Sequence, residues 1–336
     1  MAVNVSSQPS GGSTTALQRR PRIGLALGGG GARGLAHIPV LEAFDELGVQ
    51  PDIIAGTSIG AIMGAAYASG LTGREIRAHT TEVLTQRFGL LRELFSARSQ
   101  AVTKVLGFFN ARSALLDPHA LLDIVMPSRT ARDFADLKIP LKIVATGFYE
   151  QDAVVFTSGP LKRAVAASMA LPVVFEPIVI DGVAMIDGGL ANPLPFDLIT
   201  QEADIIVAVD VTGAPTPSQE RNHPSALEVL FSSPFIFERT IVHEKLKSCR
   251  PDILIEGGTS RFQTLDFLKA EEILAAAEPV KERLKSQLRR VLESETLPLI
   301  DTNDEKPALA PPQEPARRRK PLLGKRRQKK GTKEKA

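Results

Sequence analysis

Gly56-Thr57-Ser58-Ile59-Gly60 sets a serine between two glycines, after the apolar run Ile53-Ile54-Ala55 and before a run of small residues reaching Ser69. This order predicts a short buried strand, a sharp turn at Ser58 and a helix from Ile59. A serine on such a turn has its hydroxyl pushed clear of the backbone, and the crowding demands glycine at the flanks. The helix that follows aims the positive end of its dipole at the hydroxyl, which favours a developing alkoxide. The chemistry on offer is nucleophilic attack. G-x-S-x-G alone is a short pattern that chance also produces, so the rest of the chain has to supply what a nucleophile needs.

A second stretch, Gly28-Gly29-Gly30-Gly31-Ala32-Arg33-Gly34, follows the apolar run Arg22 to Leu27. Gly29, Gly31 and Gly34 match G-x-G-x-x-G, the fingerprint of a dinucleotide site. That use requires an acidic residue at the far end of the next strand, roughly 20 positions on, to hold a ribose. Asp52 has the distance but precedes the Ile53 strand, and the strand's far end is occupied by Gly56-Thr57-Ser58. No nucleotide cofactor is expected. Consecutive glycines at a strand end also aim backbone N–H groups into one concavity, an anion nest. Beside a serine on the neighbouring strand, such a nest is the oxyanion hole of acyl transfer. Arg33, inside the loop, is expected to brace it by hydrogen bonds to backbone carbonyls.

A serine nucleophile needs a base. The five histidines are His37, His79, His119, His223 and His243. None follows a late sheet strand, where a hydrolase triad places its histidine. His37 reads as a packing or capping residue. Asp187-Gly188-Gly189 follows the apolar run Val183 to Ile186 instead. A carboxylate is a weak base toward a hydroxyl, but it serves where the site is dry and the oxyanion is stabilised elsewhere. The plainer reading of Asp187 is an Asp-Gly turn; Ser58 and the glycine loop tip the choice.

The elements that position these residues alternate. Strand, glycine loop, helix, strand, serine turn and helix predict a parallel sheet covered by helices. Further strands are expected at Leu141–Ala145, Ala153–Phe156, Val173–Ile180, Val183–Ile186, Ile205–Val211 and Ile253–Ile255, with a short helix over Leu161–Met169. One long amphipathic helix is expected over Leu265–Leu292. Between Gly70 and Asp136 the pattern is mostly helical, with apolar patches at Leu90 to Phe95 and Val102 to Phe109 that read as core or as a cap over an apolar groove. Residues 1–21 and 297–336 read as disordered, which leaves 22–296 as the folded domain.

The chain of 336 residues carries a net charge of +3 with a single cysteine, Cys249, so no internal disulfide is expected and a reducing, cytoplasmic location fits. Arg317 to Ala336 holds eleven Lys or Arg and one Glu, leaving 30 basic and 37 acidic residues before it. The basic character belongs to the tail, which suits peripheral contact with anionic membrane at roughly 1 kcal/mol per basic residue near the surface. It lacks interleaved aromatics for base stacking, so nucleic acid is not the expected partner. The uncharged run Ile53 to Gly73 imitates a membrane span, but its helical part covers only about a dozen residues against the roughly 20 required. The polar N-terminus does not read as a secretory signal.

Taken together, GGGGARGLAHIPVLEAFDELGV, DIIAGTSIGAIMGAAYASG, ASMALPVVFEPI and IDGGLANPLP followed by ADIIVAVDV resemble the patatin-like phospholipases, in particular the bacterial group related to neuropathy target esterase. The resemblance covers roughly Arg22 to Val211 and, more weakly, the segment DFLKAEEIL near Asp266. It implies a three-layer α/β/α fold with a mainly parallel central sheet. It also implies a Ser58–Asp187 dyad and an oxyanion hole within Gly29, Gly30, Gly31, Ala32 and Arg33. Gly34, Gly56, Gly60, Gly188 and Gly189 are the motif glycines. The implied activity is metal-free and cofactor-free hydrolysis of acyl esters in phospholipids or lysophospholipids. Pro39 and Gly147 depart from the residues common in relatives. The rival expectation is a non-catalytic adaptor of the same fold, with its basic tail on anionic lipid or nucleic acid.

Overall fold

The computed structural model describes residues 20–86, 116–213 and 226–296. The apolar patches between 90 and 109, His223 and the two segments 1–19 and 297–336 lie outside them. Strands run at β1 (Ile23–Leu27), β2 (Ile53–Thr57), β3 (Leu141–Gly147), β4 (Asp152–Phe156), β5 (Ile178–Ile180), β6 (Val183–Asp187), β7 (Ile205–Asp210) and β8 (Ile253–Glu256). Helices are α1 (His37–Leu47), α2 (Ile59–Ala68), α3 (Gly73–Gln86), α4 (Pro118–Val125), α5 (Leu161–Ser168), α6 (Ala226–Ser248), α7 (Ala270–Ala277) and α8 (Pro279–Thr296).

All the strands join one sheet, paired in the order β5-β6-β3-β2-β1-β7-β8 with β4 also on β3. The pairs β1–β2, β1–β7, β2–β3 and β7–β8 are parallel, so the sheet is mainly parallel as expected. Along β1, Ile23, Leu25 and Leu27 face the larger core, under α1 and α2, while Ala26 faces a second one. The second face is lined by small residues, Ala26, Ala55 and Ala208, against which Leu194, Phe196 and Ile199 pack closely. Its outer layer is thin, consisting of the 3-10 turn Pro195–Ile199 and α6. Cys249 is a free thiol, half-buried against this second core.

The small residues of α2 seat it on the sheet. A Cβ on Gly60 would stand 2.1 Å from the Leu27 carbonyl oxygen and 2.8 Å from that of Gly28. Both obstacles are backbone, which cannot swing aside. Gly60→Ala would gain about 1 kcal/mol of helix propensity. The clash is expected to outweigh it, with a net loss of about 2 kcal/mol or more in denaturant unfolding. A variant as stable as the wild type would show that α2 does not need this close approach. The uncharged run is thus a helix–sheet contact. No helix among the described residues is long and apolar enough to cross a membrane.

Two expected elements differ. Val173–Ile180 is a strand only over Ile178–Ile180, because Val173 adopts φ 69° and the N–H groups of Val174 and Phe175 both turn back to the Leu171 carbonyl. The long helix expected over Leu265–Leu292 is a 3-10 turn at Phe267–Lys269, then α7, then α8. Pro279, which has no N–H to continue the ladder, separates the last two.

Candidate active site

Pairing on β3 brings the chemistry together. β4 occupies one edge of β3 from Ile143 to Gly147, so β2 and β6 must share the other. β2 runs parallel to β3 and ends at Thr57 opposite Val144; β6 runs antiparallel and ends at Asp187 opposite Ala145. Two strands therefore approach along one edge from opposite directions and stop at adjacent positions. Ser58 and Asp187, 129 residues apart in sequence, stand at that meeting point.

Ser58 has φ 54° and ψ −120°, outside the regions open to most residues with a side chain. Its N–H donates to the Ser168 hydroxyl at 2.8 Å, and its carbonyl accepts the first helical bonds of α2. The Ser58 hydroxyl donates to Asp187 Oδ2 at 2.7 Å.

Asp187 is 3% exposed and held from several sides. The Gly189 N–H donates to its Oδ1 at 2.7 Å, its own N–H donates to the Ala170 carbonyl, and the Thr146 hydroxyl donates to its carbonyl. A Cβ on Gly188 would stand 2.1 Å from the Val144 carbonyl oxygen, so glycine lets the turn after Asp187 lie against β3. Burial pushes the Asp187 carboxyl up to about 6, with the hydrogen bonds from Gly189 and Ser58 acting the other way. It is a stronger base than an ordinary aspartate and remains ionised at neutral pH.

The glycine loop crosses beside Ser58, and its N–H groups have different tasks. Those of Gly28, Gly29 and Ala32 donate to the carbonyls of Val209, Pro193 and Thr264. Gly30 and Gly31 line the same cavity as Ser58 and Asp187. The loop leads into a 3-10 helix, Gly31–Ala36, before α1 begins at His37. His37 is fully buried, with Nε2 2.9 Å from the Gly28 carbonyl. Burial lowers its pKa to about 4, so the ring is neutral and Nε2–H is the donor. Arg33 braces the loop differently from expectation. Its guanidinium donates to the Thr264 side chain and lies 5.6 Å from the Phe235 ring centre, rather than binding the loop's own carbonyls.

The cavity wall is apolar apart from Ser58, Thr80, Asp187, Glu238, Thr264 and the loop glycines. Val83 and Leu84 of α3 and Leu121 and Val125 of α4 contribute to it, while the patches read as core or cap lie outside the described residues. No histidine among the described residues lines it.

The family model for patatin-like phospholipases matches residues 25–199. The chain belongs to the patatin-like phospholipase family. It is similar to an uncharacterized NTE family protein of Mycobacterium tuberculosis, 40% identical over 195 residues, which are 58% of this chain and 50% of that protein. It also resembles patatin-like phospholipase domain-containing protein 7 of Rattus norvegicus, 32% identical over 211 residues, 61% of this chain and 14% of the relative. Lysophospholipase NTE1 of Kluyveromyces lactis is 29% identical over 276 residues, 75% of this chain and 18% of the relative. The chain thus spans half or less of the length of these curated relatives. Among solved structures, VipD from Legionella pneumophila is similar with a TM-score of 0.43 and 12% identity, over 80% of this chain and 67% of that one.

Two residues beside Ser58 and Asp187 are invisible to motif reading. Ser168 lies inside ASMALPVVFEPI, yet nothing in that string says that its hydroxyl takes the Ser58 N–H from 110 residues away. Glu238 comes from α6, a helix interrupted by Pro234 whose sequence shows little helical periodicity, and sequence reading assigned nothing there.

Proposed function

We propose that the protein is a serine acyl hydrolase acting on phospholipids or lysophospholipids. The observation that carries this reading is the Ser58 hydroxyl donating to a buried Asp187 carboxylate inside an apolar cavity. In the reaction, Ser58 Oγ attacks the ester carbonyl carbon while its proton passes to Asp187 Oδ2. The carbonyl oxygen becomes an oxyanion and is held by the N–H groups of Gly30 and Gly31, helped by the N-terminus of α2. The tetrahedral intermediate collapses, and the leaving alcohol takes the proton back from Asp187. Water then repeats the sequence on the acyl-serine, releasing the fatty acid. The cavity's apolar wall suits an acyl chain, and the names of the family and of the yeast relative agree with a lipid ester.

The test is covalent labelling by an alkyl fluorophosphonate, followed by peptide mapping and turnover on a panel of phospholipids, lysophospholipids and short-chain esters. The label is expected on Ser58, with long-chain lipid esters the better substrates. A label on any other residue, with Ser58 unmodified, overturns the mechanism.

A further inference from the structure

One buried carboxyl in the cavity has no part in this reaction. Glu238 is 2% exposed, and it shares the cavity wall with Ser58 and Asp187. Its position beside Asp187 is fixed by Gly189. A point built at the Cβ position of that glycine is 2.5 Å from Glu238 Oε1 and 3.1 Å from Asp187 Oδ1. The two oxygens are therefore less than about 6 Å apart, close enough for the charge on one carboxyl to control the other. Among the described residues, no side chain donates a hydrogen bond to Glu238.

Among the described residues, the charged groups that act on Glu238 are Asp187 from the end of β6, Asp210 from the end of β7 and Arg33 from the glycine loop. Arg33 is shared, since it is attracted by Asp210 as well, and Arg239 lies near both of them. One buried guanidinium, shared with the half-buried Asp210, cannot compensate both carboxylates of the apolar cavity. Asp187 has donors to its charged form in the Gly189 N–H and the Ser58 hydroxyl, whereas Glu238 has none among the described residues. Glu238 is the carboxyl that keeps its proton.

We infer that Glu238 is a positioning residue of the site: protonated beside Asp187, it limits the cavity to one reactive carboxylate, and its ionisation shuts turnover down at alkaline pH. The direction agrees with its titration, which burial, foremost, and Asp187 raise well above the ordinary glutamate range. The pair loses its protons in two steps. The first creates the Asp187 base. The second puts another negative charge beside the forming oxyanion and beside Asp187, which opposes attack.

This inference rests on the proposed hydrolase reading. Its test is the pH dependence of kcat/KM for the full-length chain, with a soluble ester substrate, in the wild type, Glu238→Gln, Glu238→Asp and Ser58→Ala. The wild type is expected to give a bell. Glu238→Gln should keep the acid limb and lose the alkaline limb, exceeding the wild type at least fivefold, relative to each protein's value at pH 7, where the wild type has fallen most. Glu238→Asp, still ionisable, should retain an alkaline limb and so controls for disturbed packing. If the Glu238→Gln and wild-type profiles superimpose, or Glu238→Gln and Glu238→Asp change alike, the role assigned to Glu238 is wrong while Ser58-dependent hydrolysis stands. If Ser58→Ala retains wild-type turnover throughout, the hydrolase reading itself fails and this inference falls with it.

Discussion

Ser58→Ala and Ser58→Gly are both expected to lose turnover by about 10⁴-fold or more, the scale on which nucleophile removal acts, yet to differ in stability in an unusual direction. At an ordinary position alanine is more stabilising than glycine by roughly 0.5–1 kcal/mol, because glycine loses more freedom on folding. Ser58 is not ordinary, since its φ of 54° and ψ of −120° burden any residue with a Cβ. Backbone strain of this kind costs on the order of 1–3 kcal/mol. The glycine variant sheds that strain and the alanine variant keeps it, while both lose the same hydroxyl and its bond to Asp187. Strain outweighs chain entropy, so Ser58→Gly should be the more stable by about 1 kcal/mol. Chemical denaturation of the two variants side by side decides the point. An advantage for alanine of roughly 0.5–1 kcal/mol would mean that the serine turn stores no strain, and equal stability that its strain is no larger than that.

Asp187→Asn should lower kcat/KM by roughly 10²–10⁴-fold, the usual contribution of a general base. Asparagine can accept from the Gly189 N–H through its single oxygen while its amide NH2 donates to the Ser58 hydroxyl, so the packing survives while basicity does not. In the wild type, the base form disappears as pH falls through about 6, and kcat/KM should fall with it. Stability moves the opposite way. The folded carboxyl at about 6 stands above the roughly 3.9 of an unfolded aspartate, so the folded state binds the proton more tightly. The favourable contribution is complete below about pH 4 and is lost as pH rises through about 6. Asp187→Asn lacks this dependence and should gain on the wild type between about pH 4 and pH 7, as read by Tm at each pH. Parallel Tm curves across that window would show that Asp187 is not held as a costly buried base.

Stability and chemistry compete at this site. A strained serine and a buried carboxylate each oppose folding, and both lie where the proposed reaction needs them, with the second buried carboxyl, Glu238, beside them. The large core under α1 and α2 and the rigid parallel sheet are what hold them in place.

Much of this was legible in the residues. Ile53–Ala55 followed by Gly-x-Ser-x-Gly announced a strand, a turn and a close-packed helix, because glycines at those positions have few other uses. The glycine loop and Asp187 could be read beside it as local signals, each set by the types of a few neighbouring residues. Where the signal was not local, reading failed or stayed silent. The run from Val173 looks like a strand, but Val173 turns, and the chain folds back onto the Leu171 carbonyl. Leu265–Leu292 has continuous amphipathic spacing, and that pattern hid the break that Pro279 imposes.

The sequence by itself determined the parts: a mainly parallel sheet, a serine on a crowded turn, a glycine-rich loop and an aspartate at a strand end. Periodicity and turn chemistry are short-range, so they survive in a linear reading. Only the tertiary structure decided the meeting of those parts. β2 and β6 end against each other because both pair with the same edge of β3, one parallel and one antiparallel. Which loop N–H groups remain for the cavity depends on the carbonyls of Pro193 and Thr264, more than 150 residues away. Glu238 stands beside Asp187 only because α6 packs against the turn that follows β6. Such contacts depend on long-range pairing and burial, which no run of neighbouring residues encodes.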